Sequence, residues 1–436
     1  MKARLEKYFE FTKLATDWRT EILAGFTTFI TMSYIVFVNP AILSETGMPF
    51  QAVVAATCLS AAVGSILMGV LARYPIALAP GMGLNAYFTY TVCKGMGVPW
   101  QVALGAVFLS GIAFLLLTVL GIRQLIVKAI PTDLYGAVAV GIGLFIAFIG
   151  LKNAGLVVAH PATLLTLGDL HKGSTLLALF GLILTSALLA WKLRAAMLIG
   201  VLSTTALGAL TGLVQWNPQF YRFGDITATA FRLDIPGAIK IGLLEIVFVF
   251  LFVDMFDNIG TLVAVSKKAG LYDPQTNQIP RMDRILLSDS LATITGSLAG
   301  TSTVVSYIES AAGVVAGGRT GVTSIVTGLL FLLALLIAPV IGVIPAAATA
   351  PCLIIVGSLM VSHAAEIKWD DPGISIPAFL TLITIPLTFS IANGLAFGFT
   401  SFTLIKLLRG RFAELTWMEV ILTGLFIGRF VYLAKG

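Results

Sequence analysis

Long apolar stretches separated by short polar linkers recur along the whole chain, and this pattern constrains the fold more than any other feature. A helix needs about 20 apolar residues to cross the hydrocarbon core of a bilayer. Cutting the 436 residues at polar, glycine and proline positions gives about fourteen stretches of roughly this length. They are predicted at residues 22–43, 51–71, 76–93, 101–120, 132–150, 174–190, 195–214, 241–265, 285–299, 303–316, 320–341, 346–362, 373–391 and 394–408. The sequence therefore predicts an all-α membrane protein.

Composition excludes an ordinary soluble domain. Charged residues make up 11% of the chain, whereas soluble domains carry about 25%. The net charge of +6 is not clustered on one basic face, so no nucleic-acid partner is predicted. Cys58, Cys93 and Cys352 lack the spacing of a disulfide framework or a zinc site. No metal or cofactor is therefore predicted.

The two ends of the chain need separate interpretation. The stretch 22–43 is too long for the apolar core of a signal peptide, so we expect it to be retained as the first span. The last apolar stretch, 417–434, contains Glu419 and Arg429. We therefore expect it to form an amphipathic helix that lies along the membrane interface.

The basic residues predict the orientation of the spans. If the N-terminus lies in the cytoplasm, most lysines and arginines between spans fall in cytoplasmic loops, as the positive-inside rule requires. These residues are Arg73, Arg123, Lys128, Lys192, Arg194, Lys267, Lys268, Arg281, Arg284, Arg319, Lys368, Lys406, Arg409 and Arg411. The opposite side receives Lys94, Lys152, Lys172, Arg222, Arg232 and Lys240. An even number of spans then places both termini in the cytoplasm.

A faint internal repeat divides the spans into two sets of seven. Residues 129–131 and 343–345 each open a glycine-rich span with an Ile-Pro pair, and upstream of them 109–121 resembles 323–335. Seven is odd, so the two sets would have opposite orientation. Inverted repeats with a binding site at their interface are a common plan of secondary transporters. Chance similarity between leucine- and glycine-rich segments is the alternative.

Two of the stretches contain residues that interrupt a helix. Pro80, Gly81 and Gly83 lie close together in the third stretch, and 300–307 in the tenth is rich in β-branched and hydroxyl residues, which suit a short extended piece. Lipid cannot satisfy loose backbone groups, so such breaks must be buried in protein or line a cavity. Interruptions at corresponding positions of two halves indicate a transporter binding site. The half-helices that follow would point free N–H groups at the same cavity.

Three carboxylates lie within apolar stretches. A carboxylate at the bilayer centre costs roughly 2.5 to 3.5 kcal/mol, and such groups usually mark a substrate or proton path. On a helix, Phe250, Asp254, Asp257 and Thr261 share one face. These side chains could stack on a flat heterocycle and hydrogen-bond with it. The alternative for the acids is a structural network with polar groups of neighbouring helices.

The third acid, Glu309, also has two interpretations. Ser306 and Glu309 have the spacing of a capping box, but a carboxyl deep in the membrane can also exchange protons, and the two roles are compatible. Asn85 carries both a donor and an acceptor, as pairing with a nucleobase edge requires. Its alternative is a local cap for the half-helix after Gly83.

Four motifs together resemble one known family. They are TTFITMSYIVFVNP (27–40), APGMGLNAYF (79–88), FVDMFDNIGTL (252–262) and SYIESAAGVVAGGRTG (306–321). They are similar to motifs of the adenine, guanine and hypoxanthine permeases, the azaguanine-transporter branch of the nucleobase–cation symporter-2 family. The resemblance extends from about residue 17 to residue 410.

The resemblance implies a fold of fourteen spans in two inverted repeats of seven, with a short strand in spans 3 and 10. A core domain would combine 1–120 and 240–343, which hold spans 1–4 and 8–11. A gate domain would combine 121–239 and 344–436, which hold spans 5–7 and 12–14 and the C-terminal amphipathic segment.

The resemblance also implies a function, the proton-coupled symport of purine nucleobases across the inner membrane by alternating access. Asp257 and Glu309 match positions of substrate-binding glutamates in the related uracil carrier, and Asp254 and Asn85 match the purine branch. Thr261 replaces a histidine linked to proton coupling. The resemblance therefore leaves Asp254, Asp257 and Glu309 as the candidates for proton coupling. Backbone N–H groups after Gly81 and after Val305 would complete the substrate site, together with Ser306.

Other functions remain open alternatives at this point. An anion exchanger of the same fold would meet repulsion from the three acids. A membrane-embedded enzyme would need a catalytic motif, and the chain contains neither H-E-x-x-H nor G-x-S-x-G. Saturable uptake driven by a pH gradient would exclude a channel. The sequence leaves open the preferred purine, proton against sodium coupling, and a homodimer through glycine pairs such as Gly296/Gly300.

Overall fold

The computed structural model of the chain describes residues 2–121, 132–214, 223–240, 243–273, 279–337 and 342–433. Helices make up most of these residues. They are α1 (Lys2–Tyr8), α2 (Trp18–Met32), α3 (Ile35–Leu43), α4 (Phe50–Leu67), α5 (Met82–Ala86), α6 (Trp100–Val119), α7 (Thr132–Asn153), α8 (Gly173–Ala190), α9 (Ala196–Leu210), α10 (Ile235–Lys240), α11 (Leu243–Ala269), α12 (Met282–Ala299), α13 (Ser310–Val315), α14 (Gly321–Ala334), α15 (Ala346–Met360), α16 (Pro372–Thr388), α17 (Ile391–Leu408) and α18 (Trp417–Leu433).

Shorter helical pieces extend or connect these helices. Two of these pieces, Met68–Ala72 and Tyr87–Gly95, are π-helical, with i→i+5 hydrogen bonds. In many proteins such π-helical turns lie near functional sites. Single 3₁₀ turns occupy Ser44–Thr46, Phe223–Ala228, Leu335–Ile337, Val361–Glu366 and Phe412–Glu414.

Eight helical segments of the described residues are long and apolar enough to cross a membrane. They are Trp18–Thr46, Phe50–Ala72, Trp100–Val119, Leu134–Asn153, Gly173–Ala190, Val249–Ala269, Ala346–Glu366 and Ile391–Leu408. Shorter apolar helices occupy Ala196–Leu210, Gly321–Ala334, Pro372–Thr388 and Glu419–Gly428. The helical membrane architecture predicted from the sequence is therefore present. The count of fourteen spans and the two inverted repeats stay predictions.

Both predicted interruptions contain a short strand. Strand β1 (Leu78–Pro80) pairs antiparallel with the distant strand β4 (Val304–Ser306). The pairing continues past both ends, because the N–H of Gly81 donates to the carbonyl of Thr303 at 2.9 Å and the N–H of Tyr307 donates to the carbonyl of Ala77 at 3.0 Å. Half-helices α5 and α13 follow the two strands. Because the strands are antiparallel, the two half-helices begin at opposite ends of the strand pair.

Hydroxyl groups satisfy the outer edges of this two-stranded sheet. On one edge the Ser65 hydroxyl donates to the carbonyl of Leu78 at 3.1 Å and accepts from its N–H at 3.0 Å. On the other edge the Thr293 hydroxyl donates to the carbonyl of Val304 at 3.0 Å and accepts from its N–H at 3.3 Å. An open strand edge is not tolerated in lipid. Helices α4 and α12 thus make the irregular backbone possible.

A second, exposed hairpin follows α7 and was not predicted. Strand β2 (Val157–His160) pairs antiparallel with β3 (Leu164–Leu167). The connection between the predicted spans at 132–150 and 174–190 is long enough to form this hairpin. Its alternating pattern is weak, and no glycine-based turn signal announces it.

The C-terminal helix α18 packs against α17. The Glu419 carboxylate is buried beside the Lys406 ammonium at 3.4 Å, and the Thr423 hydroxyl donates to the Thr403 hydroxyl at 2.7 Å. Glu419, which the sequence analysis assigned to an amphipathic helix at the membrane interface, is therefore paired within the protein. The side chain of Arg429 lies outside the described residues, and the interfacial location of this helix stays a prediction.

Candidate functional site

A cavity of about 410 Å³ lies between two groups of helices. One side, here called the core wall, is formed by Tyr34, Gly81, Met82, Gly83, Gly260, Thr261, Val305, Ser306, Tyr307, Ile308 and Glu309. The other side, here called the gate wall, is formed by Tyr135, Val138, Ala139, Ile142, Ile146, Val356, Leu359, Met360, Ser362 and His363. The core wall includes the ends of both strands, so the sheet determines where the cavity lies.

Glu309 brings a carboxylate to the core wall at the start of α13. Its Oε1 accepts a hydrogen bond of 2.7 Å from the Tyr34 phenol, and its Oε2 is buried without a hydrogen-bond partner among the described residues. The predicted capping box with Ser306 is not formed, since neither side chain caps α13. The carboxylate is therefore oriented by the phenol, with one oxygen left to bind a ligand.

Asp254 belongs to a network behind the core wall. Its Oδ1 accepts from the Asn258 amide, and the Asn258 Oδ1 accepts from the backbone N–H of Ser306 at 2.7 Å. Both side chains are buried. This chain of contacts fixes β4 against α11 and matches the structural alternative stated for Asp254. The side chain of Asp257, on the same helix, lies outside the described residues, so its predicted role stays a prediction.

Two other predicted residues, Asn85 and Phe250, do not line the described cavity walls. Asn85 is buried, and its Oδ1 accepts from the Ser302 hydroxyl. Phe250 is buried with its ring edge-on to that of Tyr87, at 5.1 Å between ring centroids. The structure thus places both residues behind the core wall, where they support half-helix α5 and the residues before β4.

The remaining predicted residues are at the cavity. Gly81, Gly83, Thr261 and Ser306 all lie in the core wall with Glu309. Gly83 allows a close approach of the two walls, because a Cβ atom there would lie 2.6 Å from the Ile142 side chain. The start of α5 therefore reaches the gate wall directly.

Two tyrosines at the cavity were missed by the sequence analysis. Tyr34 lies in the break between α2 and α3, and Tyr135 contacts the backbone N–H of Gly260 through its phenol oxygen. A tyrosine inside an apolar span needs a partner for its hydroxyl, and that requirement is the signal that could have singled out Tyr34. The partner itself is 275 positions away, so the sequence does not reveal it.

The geometry favours a small, flat, uncharged ligand with polar edges. The gate wall is mostly aliphatic, which suits the faces of a ring. One carboxylate oxygen accepts, and the first N–H groups of α5 can donate. Among the described residues that line the cavity there is no lysine or arginine. These described walls therefore lack the permanent counter-charge that a lysine or arginine would offer a small anion.

Comparison with known proteins decides the family. A family model described as a permease family, that of the xanthine and uracil permeases, matches residues 19–431. The chain belongs to this family. Membership makes it a membrane transporter rather than an enzyme.

Two relatives whose names state a substrate are similar to this permease along nearly its whole length. It is 44% identical to the adenine permease AdeP of Escherichia coli over 429 residues, covering 98% of this chain and 96% of the relative. It is also 44% identical to the guanine/hypoxanthine permease PbuG of Bacillus subtilis over 440 residues, covering 98% and 99%. The adenine/guanine/hypoxanthine branch that the four motifs indicated is confirmed.

A solved structure shares the fold at low identity. The transmembrane domain of the cyanobacterial bicarbonate transporter BicA aligns with a TM-score of 0.63 at 13% identity, covering 86% of this chain and 97% of that domain. This similarity concerns the fold alone.

Proposed function

We propose that this permease imports purine nucleobases into the cell together with protons, by alternating access in the inner membrane. The relatives named for adenine and for guanine/hypoxanthine support the substrate class. The observation that carries the proposal is the oriented Glu309 carboxylate with one unpaired oxygen in a cavity between two aliphatic and backbone-lined walls. Such a site offers a hydrogen-bond acceptor to a flat base and surrounds its ring faces.

In the proposed bound state, Oε2 of Glu309 accepts an N–H of the base. Backbone N–H groups at the start of α5, after Gly81, donate to a ring nitrogen or carbonyl oxygen. The ring faces contact aliphatic side chains of the gate wall, such as Ile142 and Met360. Asp257 on α11 would supply a second carboxylate. Binding in this way uses edge contacts for specificity and apolar burial for affinity.

Proton coupling would act on the same carboxylates. A negatively charged site is costly to move through a low-dielectric interior. Protonation of Glu309 or Asp257, with Asp254 as a further candidate, would neutralise the site. The core, spans 1–4 and 8–11, could then move against the gate, spans 5–7 and 12–14. This step links proton uptake to the change of access.

Corresponding bonds in the two halves support the inverted-repeat arrangement. Ser65 lies in predicted span 2 and bonds the strand of span 3, while Thr293 lies in predicted span 9 and bonds the strand of span 10. Each hydroxyl makes the same pair of contacts with one strand residue. An arrangement of fourteen spans in two inverted halves would account for this correspondence. In this proposal, both termini lie in the cytoplasm and lipid surrounds the spans.

An anion exchanger of the same fold is the weaker hypothesis. The described cavity walls hold the Glu309 carboxylate and no lysine or arginine. A buried carboxylate repels a small anion and offers it no hydrogen-bond donor. Bicarbonate and sulfate should accordingly fail to compete with nucleobase uptake.

Uptake of labelled adenine, guanine and hypoxanthine tests the proposal in cells that lack their own purine permeases. The variants are Glu309→Gln and Asp257→Asn, with Glu414→Gln as the matched control, because Glu414 is exposed and distant from the cavity. We expect both cavity variants to lose most uptake and the control to retain it. Uptake should also fall when an uncoupler removes the proton gradient. Wild-type rates with unchanged pH dependence in both cavity variants would refute the assignment.

A further inference from the structure

We propose that Tyr34 is a positioning residue that leaves one oxygen of Glu309 free, and that it thereby lowers the preference for bases with two adjacent N–H donors. The inference rests on the proposed function and concerns its specificity. Guanine presents a ring N–H beside an exocyclic amine, whereas hypoxanthine presents the ring N–H alone. A carboxylate can accept both donors of guanine only when both of its oxygens face that edge.

The structure holds the Tyr34 phenol firmly. Tyr34 lies in the two-residue break between α2 and α3 and is 1% exposed. The preceding Ser33 hydroxyl donates to the carbonyl of Ile30 at 2.9 Å, which fixes the break itself. A buried aromatic side chain at a fixed break cannot easily turn away. The bond from its hydroxyl to Oε1 therefore persists when the cavity fills.

The two carboxylate oxygens of Glu309 are thus unequal. Oε1 accepts from the phenol at 2.7 Å, and Oε2 is buried with no hydrogen-bond partner among the described residues. The buried phenol is already held against Oε1 by packing, and a substrate donor would have to displace it, so the phenol keeps Oε1 occupied. Oε2 is the oxygen that meets the base. A single-donor edge matches it, and a double-donor edge leaves one N–H without its best partner.

Groups around Glu309 do not replace the phenol. The neighbouring core-wall residues Ser306 and Thr261 carry hydroxyls, but no bond from either to the carboxylate is present. The gate wall opposite includes Ser362 and His363, and neither of these side chains bonds to the Glu309 carboxylate. Removing the phenol hydroxyl therefore releases Oε1 rather than exchanging one internal donor for another.

The test is the ratio of KM for guanine to KM for hypoxanthine, measured by uptake into proteoliposomes in wild type and Tyr34→Phe. We expect KM for hypoxanthine to rise about tenfold, because the carboxylate loses a charge-assisted hydrogen bond and its fixed orientation. KM for guanine should rise less, because the released oxygen gains the exocyclic amine. The guanine-to-hypoxanthine ratio should then fall by about fivefold or more. Parallel changes in both KM values, or none, would overturn the inference.

Two further variants separate positioning from general damage. Tyr74→Phe removes another buried phenol, which donates to the carbonyl of Pro280 at 2.8 Å and does not line the cavity, so its KM ratio should equal that of wild type. In a Glu309→Gln background, where little uptake is expected, the ratio is measured as Kd by binding of guanine and hypoxanthine to the purified protein in detergent. Tyr34→Phe should not change that ratio, since the residue acts through the carboxylate. A ratio change that persists in this background would place Tyr34 in direct contact with the base and contradict the proposal.

The outcomes also distinguish this inference from the proposed function. If wild type takes up no purine, the proposed function fails. If wild type takes up guanine and hypoxanthine but Tyr34→Phe leaves their ratio within twofold, the inference alone fails. If adenine is the only base transported, an N–H of the guanine and hypoxanthine edge is not what Glu309 binds, and the inference is likewise rejected. Binding to purified Tyr34→Phe in detergent provides the same ratio should uptake be too slow.

Discussion

Two contacts far from the cavity are expected to keep the opposite end of the core and gate closed. The Asn153 amide at the end of α7 donates to the Tyr90 hydroxyl at 3.3 Å and to Glu45 Oε1 at 3.4 Å. The Thr91 hydroxyl donates to the carbonyl of Phe389, which follows α16. In the predicted topology these residues lie at the outer ends of their spans. Alternating access requires both contacts to break when the outer side opens.

The size of the effect follows from the number of bonds. The double variant Asn153→Ala with Thr91→Val removes three hydrogen bonds between the predicted core and gate. The two bonds of the Asn153 amide are long and are counted together as one contact, and each of the two contacts is worth about 0.5 to 1.5 kcal/mol net. Glu45 keeps its bond to Tyr90 at 2.6 Å and its ion pair with Lys94, so no buried charge is left unpaired. The sum of about 1 to 3 kcal/mol should move the equilibrium toward the outward-open form by about 5- to 150-fold.

Ile149 is a suitable reporter of this opening. On α7 the side chains of Ile142 and Ile146 line the cavity, and Ile149 and Asn153 continue the same helical face. Ile149 is 1% exposed, so a thiol at this position is unreachable while the outer end is closed. Ile149→Cys would be made in a background without native cysteines.

The assay is the rate at which a membrane-impermeant thiol reagent, added outside the cells, labels this cysteine. The double variant should raise the rate by a factor within the stated range. Thr388→Val is the matched control, because its hydroxyl donates to the carbonyl of Thr384 in its own helix. A labelling rate that stays at the control value, or falls, would show that these contacts do not hold the outer end closed.

Two further predictions concern stability. Ser65→Ala and Thr293→Val each leave a backbone N–H and carbonyl of a strand without hydrogen-bond partners. Each should therefore lower the free energy of unfolding, measured in detergent, by about 1 to 3 kcal/mol. Ser60→Ala is the control and should change it little, because the Ser60 hydroxyl bonds within its own helix. Outside the membrane, the backbone N–H of Gly373 and a neighbouring arginine lower the pKa of Asp371. Its folded-state pKa therefore lies below the unfolded value, so its stabilisation is complete at neutral pH and is lost as pH falls through the folded-state pKa. Asp371→Asn should therefore lose less of its free energy of unfolding than wild type as the pH falls from neutral to about pH 3. If the difference in unfolding free energy between wild type and variant stays the same over this pH range, the prediction is wrong.

The interruptions were predictable because their residue types leave few alternatives. Pro80, Gly81 and Gly83 cannot all belong to a regular buried helix, and the β-branched residues around Val304 favour an extended backbone. Glu309 was predictable for a related reason, because an acid in an apolar stretch is energetically costly and usually has a functional role. These signals are local, and each is visible within about ten residues of sequence.

The rest of the site depends on contacts between distant segments. The Tyr34 phenol reaches Glu309 across 275 positions, and the Asn258 amide reaches the backbone of Ser306 across 48 positions. No periodicity encodes such pairs. The helical stripe that joined Phe250 to Asp254 was a correct geometric statement about one helix, but it could not indicate which neighbour that face would meet. Tertiary packing placed Phe250 against Tyr87 instead of at the cavity.

The strand pair explains why so few polar groups suffice for this site. A continuous helix buries its own N–H groups in internal bonds, so it can present only side chains to a ligand. In the proposed site, the interruption after β1 leaves the first N–H groups of α5 available to a ligand, whereas the first N–H groups of α13 donate to the carbonyls of Tyr307, Ile308 and Glu309. The donors of the proposed site come from the backbone and its acceptor from Glu309. Substitutions at the cavity side chains should therefore change which base is preferred, whereas substitutions at Ser65 or Thr293 should weaken binding of every base, because they loosen the strands that carry the site.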